Sequence, residues 1–375
     1  MIEIVPLEFP KDVKKFYNFA FKIYKEEPLW VPPLWMDYKK LLSPENPFFK
    51  HSKIKLFLVL KDNLQAGTIA YIKDDNFNKF HNTNLGYFGF FECINDKEVA
   101  QALFEAVEKE AKEDNLSSLI GPLNPSTNEI CGLLIWGPPE PPFLMMPYNP
   151  NYYSKLIEEC SYQKIKDLYA FIAPITDFPF VRLEKIAKDV YKKIKVKVRS
   201  ANLKRFDEEL KLLRVIYNEA WEKNWGFVPL EEDEMIFLAK RLKPLCIPEL
   251  LQIAFVDEEP AGFIMTLPNV NEAFIHLKGH LNPISLLKLF YFSKKISSLR
   301  LLTLGVREKF RKMGIDGCLY YESLKNGLKM KYKRVEFSWI LEDNIITQKA
   351  VRLMGGKHYK TYRIYTKNLN SSVKI

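Results

Sequence analysis

Two halves of this chain run through the same order of elements, and that repetition restricts the fold more than any single residue does. The first half reads as a strand at Ile2–Val5, a helix near Lys11–Tyr24 and a Pro- and aromatic-rich loop from Pro28 to Phe49. Strands follow at Ile54–Leu60, Gln65–Ile72 and Leu85–Cys93, then an amphipathic helix at Lys97–Asp114 capped by Asp96. A strand at Ser117–Ile120, a long loop, a helix near Asn151–Cys160 and a strand at Lys166–Ile172 close it. The second half repeats this order. A strand at Lys195–Arg199 leads to helices at Leu203–Asn224 and Glu231–Leu242, then strands at Leu250–Val256 and Ala261–Leu267. After an insertion come a strand at Arg300–Val306, a helix at Ile315–Met330, a strand at Arg334–Ile340, a helix at Asn344–Met354 and a strand at Tyr359–Tyr365. Residues echo the order: Ala66-Gly67-Thr68-Ile69 stands where Ala261-Gly262-Phe263-Ile264 stands later. The reading is an α/β (α+β) protein of two tandem domains, 1–190 and 191–375, each a mixed, mostly antiparallel sheet flanked by helices.

Composition agrees. At 375 residues, 47% hydrophobic and 14% aromatic, the chain has material for two cores. The net charge of +10 suits a polyanionic cofactor, and equally a lysine-rich solvated surface. The basic stretch Lys185–Arg205 lacks interleaved stacking aromatics apart from Tyr191, so nucleic acid is not favoured. It reads as a solvated helix and strand at the start of the second domain. The five cysteines form no CxxC pair and are odd in number, which points to a reducing compartment. With no apolar run near the ~18 residues of a membrane span and no signal-peptide pattern, the expectation is a cytoplasmic protein with no membrane partner.

The chemistry concentrates at Leu304-Gly305-Val306-Arg307-Glu308-Lys309-Phe310-Arg311-Lys312-Met313-Gly314-Ile315-Asp316-Gly317. A strand ends at Val306, a basic glycine-bearing turn follows, and a helix begins. Such a helix start exposes backbone N–H groups at the positive end of the dipole, which favours a diphosphate. Gly314 and Gly317 would let a ligand approach the backbone, and Arg311 and Lys312 add charge.

Here the sequence resembles the GNAT superfamily of acyl-CoA N-acyltransferases. That family's signature is Arg/Gln-x-x-Gly-x-Gly/Ala between strand and helix. Arg311-Lys312-Met313-Gly314-Ile315 fits it, whereas Asp316 stands where Gly or Ala is usual. The second signature, a helix-opening Asn with Gly-Phe eleven and twelve residues on, is met by Asn344 and Gly355; Gly356 replaces the Phe, and Val351 stands where many members carry an acidic tyrosine. Trp30–Leu34, Met145–Asn149, Asn224–Pro229 and Ser338–Asn344 further resemble a bacterial group of GNAT-like proteins with two tandem GNAT-type domains, so the likeness covers nearly the whole chain.

The resemblance implies acyl-CoA, acetyl-CoA or another, as cosubstrate, no metal, and transfer to an amine of a small molecule or peptide. It places Val306, Arg311, Lys312, Gly314, Ile315, Gly317 and Asn344 at the cofactor. Strand alternation puts Glu336, Ser338, Ile340 and Glu342 on one side of the cleft between the two central strands. Glu342 is the candidate general base, or else a helix-capping carboxylate. Tyr362 or Tyr365 is the candidate acid, or an ordinary strand aromatic. Asn224, Trp225 and Phe227, with Ser338, are candidates for the acceptor pocket, or core. His276 and His280, four apart, lie in a loop with no cysteine or carboxylate close by, a poor metal pair. In the first domain the equivalent turn, Cys93 to Glu98, has no glycine and two acids, so that domain is expected to hold no CoA. Two other functions remain open: a non-catalytic CoA-binding or scaffold protein, and a Fem-like transferase using aminoacyl-tRNA.

Overall fold

The computed structural model describes residues 1–370. The chain divides into two compact units, each drawn from more than one stretch. The first comprises Met1–Leu168, Phe274–Leu287 and the described residues from Lys360 onward; the second comprises Tyr169–Ala273 and Lys288–Tyr359.

The first unit opens with β1 (Ile2–Leu7), α1 (Val13–Ile23) and α2 (Trp35–Leu41), the last inside the aromatic loop. Then come β2 (Ser52–Lys61), β3 (Leu64–Asp74), the short α3 (Asp75–His81) and β4 (Leu85–Cys93). Next are α4 (Lys97–Glu113), β5 (Ser118–Gly121), the two-residue strands β6 (Leu123–Asn124) and β7 (Ile130–Cys131), β8 (Leu133–Trp136) and α5 (Tyr153–Glu159). Strand β9 (Gln163–Pro174) leaves this unit.

The second unit continues with α6 (Phe180–Lys193), β10 (Val196–Ser200), α7 (Phe206–Trp221), α8 (Glu232–Leu242), β11 (Leu251–Val256) and β12 (Glu259–Pro268). The insertion carries α9 (Asn271–Phe274) and α10 (Pro283–Ser293), and its residues Phe274–Leu287 are counted in the first unit. Then follow β13 (Ser298–Val306), α11 (Ile315–Lys329), β14 (Arg334–Leu341), α12 (Ile345–Leu353) and β15 (Lys357–Asn368).

The strands of the two units follow one pairing rule. In the first, β1 to β4 pair antiparallel in sequence and β4 pairs parallel with β5. In the second, β10 to β13 pair antiparallel and β13 pairs parallel with β14. A parallel pair needs a crossover, and in each unit one long helix supplies it: α4 in the first, α11 in the second. Helix α4 forms because its apolar residues recur at helical spacing. Val99, Leu103, Phe104, Val107 and Ala111 are buried with Phe88 and Phe91 of β4. Each such side chain contributes about 1.5–3 kcal/mol of burial. On α11, Ile315, Leu319 and Leu324 join Leu299, Val335 and Phe337 in the second core. The repeated glycine serves different neighbours: a Cβ on Gly67 would meet Leu103 of α4 at 2.6 Å, and one on Gly262 would meet the carbonyl of Gly305 at 2.7 Å.

Candidate functional site

Strand β13 stops at Val306, and a 3-10 turn at Glu308–Phe310 carries the chain to α11. Lys312 and Gly314 both take left-handed backbone, with φ of +64° and +80°. Gly314 is the N-cap, and no side chain caps the helix. The first N–H groups of α11 are therefore left without a side-chain acceptor at the positive end of the dipole. Charges around the turn divide. Arg307 is held by Glu219 and Glu259, both at 2.6 Å, and Lys309 by Glu259. Arg311 donates to the carbonyls of Ala220 (2.8 Å) and Val306 (3.3 Å). Lys312 stands in solvent. Asp316 is exposed in the first helical turn and does not cap it. The glycines have a second use: a Cβ on Gly314 would meet Val190 at 2.7 Å, and one on Gly317 would meet Ile186 at 2.9 Å. Their missing side chains let α6 lie against α11. The donor set, uncapped N–H groups with an exposed lysine, fits a diphosphate.

The equivalent turn in the first unit is closed. The Asp96 carboxylate accepts from Glu98 N (3.0 Å) and Val99 N (3.3 Å), and Lys61 pairs with Asp96 and with Glu98. A cap and a phosphate compete for the same donors.

Other candidates from the sequence fall as follows. Val306 and Ile315 flank the turn, Ile315 in the core. Asn344 caps α12, accepting from Thr347 N at 3.1 Å. Glu342, half-buried at the end of β14, lends its carbonyl to Gln348 at 2.8 Å. Asn224, Trp225 and Phe227 follow α7, where Gly226 turns the chain at φ +72° and Phe227 is buried against Tyr217. Ser338 is enclosed with Arg300 and Glu336: its hydroxyl accepts from Arg300 Nε at 3.0 Å and donates to Glu336 at 2.6 Å. Tyr362 is fully buried on the stretch of β15 that belongs to the first unit, paired with Leu134 of β8. Tyr365 lies on that stretch too, its hydroxyl donating to Glu158 at 3.1 Å. Val351 packs in the second core. His280 stacks on Phe21 with ring centroids 6.2 Å apart.

The first unit holds a cluster that the sequence reading missed. Glu92, next to the end of β4, accepts from the Tyr153 hydroxyl at 2.7 Å, and Tyr153 in turn accepts from Cys93 N at 2.9 Å. The Tyr24 hydroxyl, which donates to the Tyr148 carbonyl at 3.2 Å, also lies near enough to favour the Glu92 carboxylate. Burial pushes the Glu92 carboxyl up to about 7, against the pull of the two phenols.

A protein of Caulobacter vibrioides named bacterial ceramide synthase is 34% identical to this chain over 377 residues, covering 98% of each. This chain belongs to the same family. Protein YghO of Escherichia coli, 35% identical over 365 residues, covers 96% of this chain and 93% of its own length. No protein-family model matches. The fold of this family member is that of tandem GNAT proteins. A tandem GNAT protein from the clavulanic acid biosynthesis pathway superposes over 100% of both chains with a TM-score of 0.59 at 12% identity. A GCN5-related N-acetyltransferase from Sphaerobacter thermophilus covers 99% of this chain and 98% of its own, with a TM-score of 0.53 at 12% identity. The expected two-domain GNAT fold is thus observed.

In this chain the signal that could have found Glu92 is one carboxylate in the apolar run Leu85-Gly-Tyr-Phe-Gly-Phe-Phe-Glu-Cys93. Its raised value makes a pH prediction. The folded state holds the proton that the unfolded chain releases, so Glu92 subtracts stability as pH rises from about 4.5 to about 7. The loss is on the order of 3 kcal/mol at most. Urea unfolding across that range is expected to show a shallower decline for Glu92→Gln than for wild type; parallel curves would place the Glu92 carboxyl in water.

Proposed function

We propose that this chain is an acyl-CoA-dependent N-acyltransferase whose acceptor is a long-chain amine. The uncapped start of α11 carries the reading, because free helix N–H groups at the end of a central strand would suit a diphosphate, and the fold is one found among tandem GNAT proteins. Backbone N–H groups of Ile315, Asp316 and Gly317, with the Lys312 ammonium, would hold the diphosphate. When bound, acyl-CoA supplies the thioester that an amine attacks. Glu342, the residue after the strand parallel to β13, would take up the proton the amine must lose. The acceptor class follows the relative's name, since a ceramide is an amide of a long-chain amino alcohol. In this reading the first unit, with its turn closed by Asp96, binds no cofactor.

Long-chain acyl-CoA at about 100 times its dissociation constant is expected to stabilise the fold by roughly 2.7 kcal/mol, with one molecule bound per chain in calorimetry. Lys312→Glu should weaken binding about tenfold or more, whereas Asp96→Asn should leave it unchanged. Lys312 is the better probe than Gly314, where any side chain would meet Val190 on a left-handed backbone. No heat and no melting shift at saturation, or two molecules per chain, would remove the cofactor site from α11. Amide formation from a fatty acyl-CoA and a sphingoid base then tests the acceptor; acetylation of a short amine in its place would remove the long-chain assignment.

A further inference from the structure

Helix α10 is built the wrong way round for a helix in water. Ser285 is buried and Leu289 and Phe292 are half-buried, at positions i, i+4 and i+7, so that stripe rests on protein. An ordinary surface helix turns polar residues outward from such a stripe. Here the outward side presents Ile284, Leu286, Leu287, Phe290 and Tyr291; Leu287 is 73% exposed, Phe290 67% and Ile284 66%. Leu281, just before the helix, is exposed as well.

The charge carried by the helix and its flanking chain has one sign. No acidic residue stands between Glu272 and Glu308, whereas Lys278, Lys288, Lys294 and Lys295 lie in or beside the helix. Lys294 and Lys295 sit at its C-terminal end, their ammonium groups 4.0 Å from the rings of Phe290 and Tyr291 respectively. Apolar side chains rimmed by lysines, with aromatic rings at the rim, match the boundary between lipid headgroups and acyl chains. At 11 residues the helix is about 16 Å long. That is far short of the ~30 Å hydrocarbon core, so it suits lying in the interface and not spanning it.

We propose that α10 docks this protein on an anionic lipid surface, with Ile284, Leu287, Phe290 and Tyr291 entering the headgroup layer and the lysines meeting lipid phosphates. The inference does not rest on acyl transfer, since a chain without turnover would still dock. If both hold, docking brings the enzyme to the phase where long-chain amines dissolve.

The test is flotation of the full chain with vesicles of phosphatidylglycerol and phosphatidylcholine in equal parts, against vesicles of phosphatidylcholine alone. Binding to the anionic vesicles is expected to be at least about tenfold tighter and to fall with salt. Leu287→Glu with Phe290→Glu should abolish it while leaving the melting temperature unchanged, because both side chains are exposed. Lys294→Glu with Lys295→Glu should remove the preference for anionic lipid with the apolar face intact. Absence of vesicle binding, equal binding to both compositions, or binding that survives Leu287→Glu with Phe290→Glu would overturn the proposal. So would light scattering that showed a dimer dissociated by that pair of changes, since a second copy would then be the occupant.

Discussion

Replacing Arg300 by Met is expected to lower the free energy of unfolding by about 3–5 kcal/mol, the cost of leaving a buried charge without its partner. Arg300 of β13 and Glu336 of β14 are register partners in the parallel pair that centres the second unit, and both are buried. Arg300 Nε lies 3.8 Å from the Glu336 carboxylate and 3.0 Å from Ser338 Oγ, and a second guanidinium nitrogen donates to the Ser338 carbonyl at 3.2 Å. The other Glu336 oxygen accepts from the Tyr359 hydroxyl, and the guanidinium lies 5.2 Å from the Trp339 ring centre. With Met at 300, Glu336 keeps two hydroxyl donors and loses its countercharge. It must then ionise in a low dielectric or take up a proton, and either is unfavourable at neutral pH. Adding Glu336→Gln to Arg300→Met should restore part of the loss, because the stranded charge is gone. Urea midpoints for the two single variants and the double variant complete the cycle. A single-variant loss under about 1 kcal/mol would mean that the guanidinium does not compensate Glu336.

This network shows what kind of information the sequence held. Strand alternation correctly put Glu336 and Ser338 on one side of β14, but it could not show that Arg300 closes that side, since burial is set by the neighbouring strand. Local signals did better. Asp96 before an apolar period gave both the cap and the course of α4, because a cap and a 3.6-residue stripe are properties of neighbouring residues. Helix α10 escaped notice within an insertion because an apolar segment with few polar breaks carries no clear period. The reading of no membrane partner rested on the lack of a spanning segment; no helix is long and apolar enough to cross a membrane among the described residues, and that observation does not bear on a helix lying in the interface. The Glu92 cluster depends on Tyr153, 61 residues away, and on Tyr24 at the end of α1; no spacing rule joins them. The membership of Lys360 and the residues after it in the first unit is likewise a tertiary fact, and it assigns Tyr362 and Glu342 to different units.

Two carboxylates now compete for one role, and a pair of substitutions separates them. Glu342→Gln is expected to lower kcat by about 10²–10⁴-fold, the usual yield of a positioned base, with little change in KM for acyl-CoA. The same change at Glu92 should leave kcat within a few-fold of wild type. The asymmetry follows from where the proposed diphosphate donors are. Only α11 of the two crossover helices starts without a side-chain cap, and Glu342 belongs to the unit that contains it. Glutamine preserves the shape and hydrogen-bonding reach of Glu342 but cannot accept the proton, so the loss should appear in kcat and should flatten the acid limb of the pH profile. Glu92 has a raised affinity for a proton, at about 7, and a phenol at 2.7 Å to relay it. Its unit, however, spends the equivalent N–H groups on Asp96. The reverse outcome, activity lost with Glu92→Gln and kept with Glu342→Gln, would move the chemistry into the first unit and leave α11 as a cofactor site without the base.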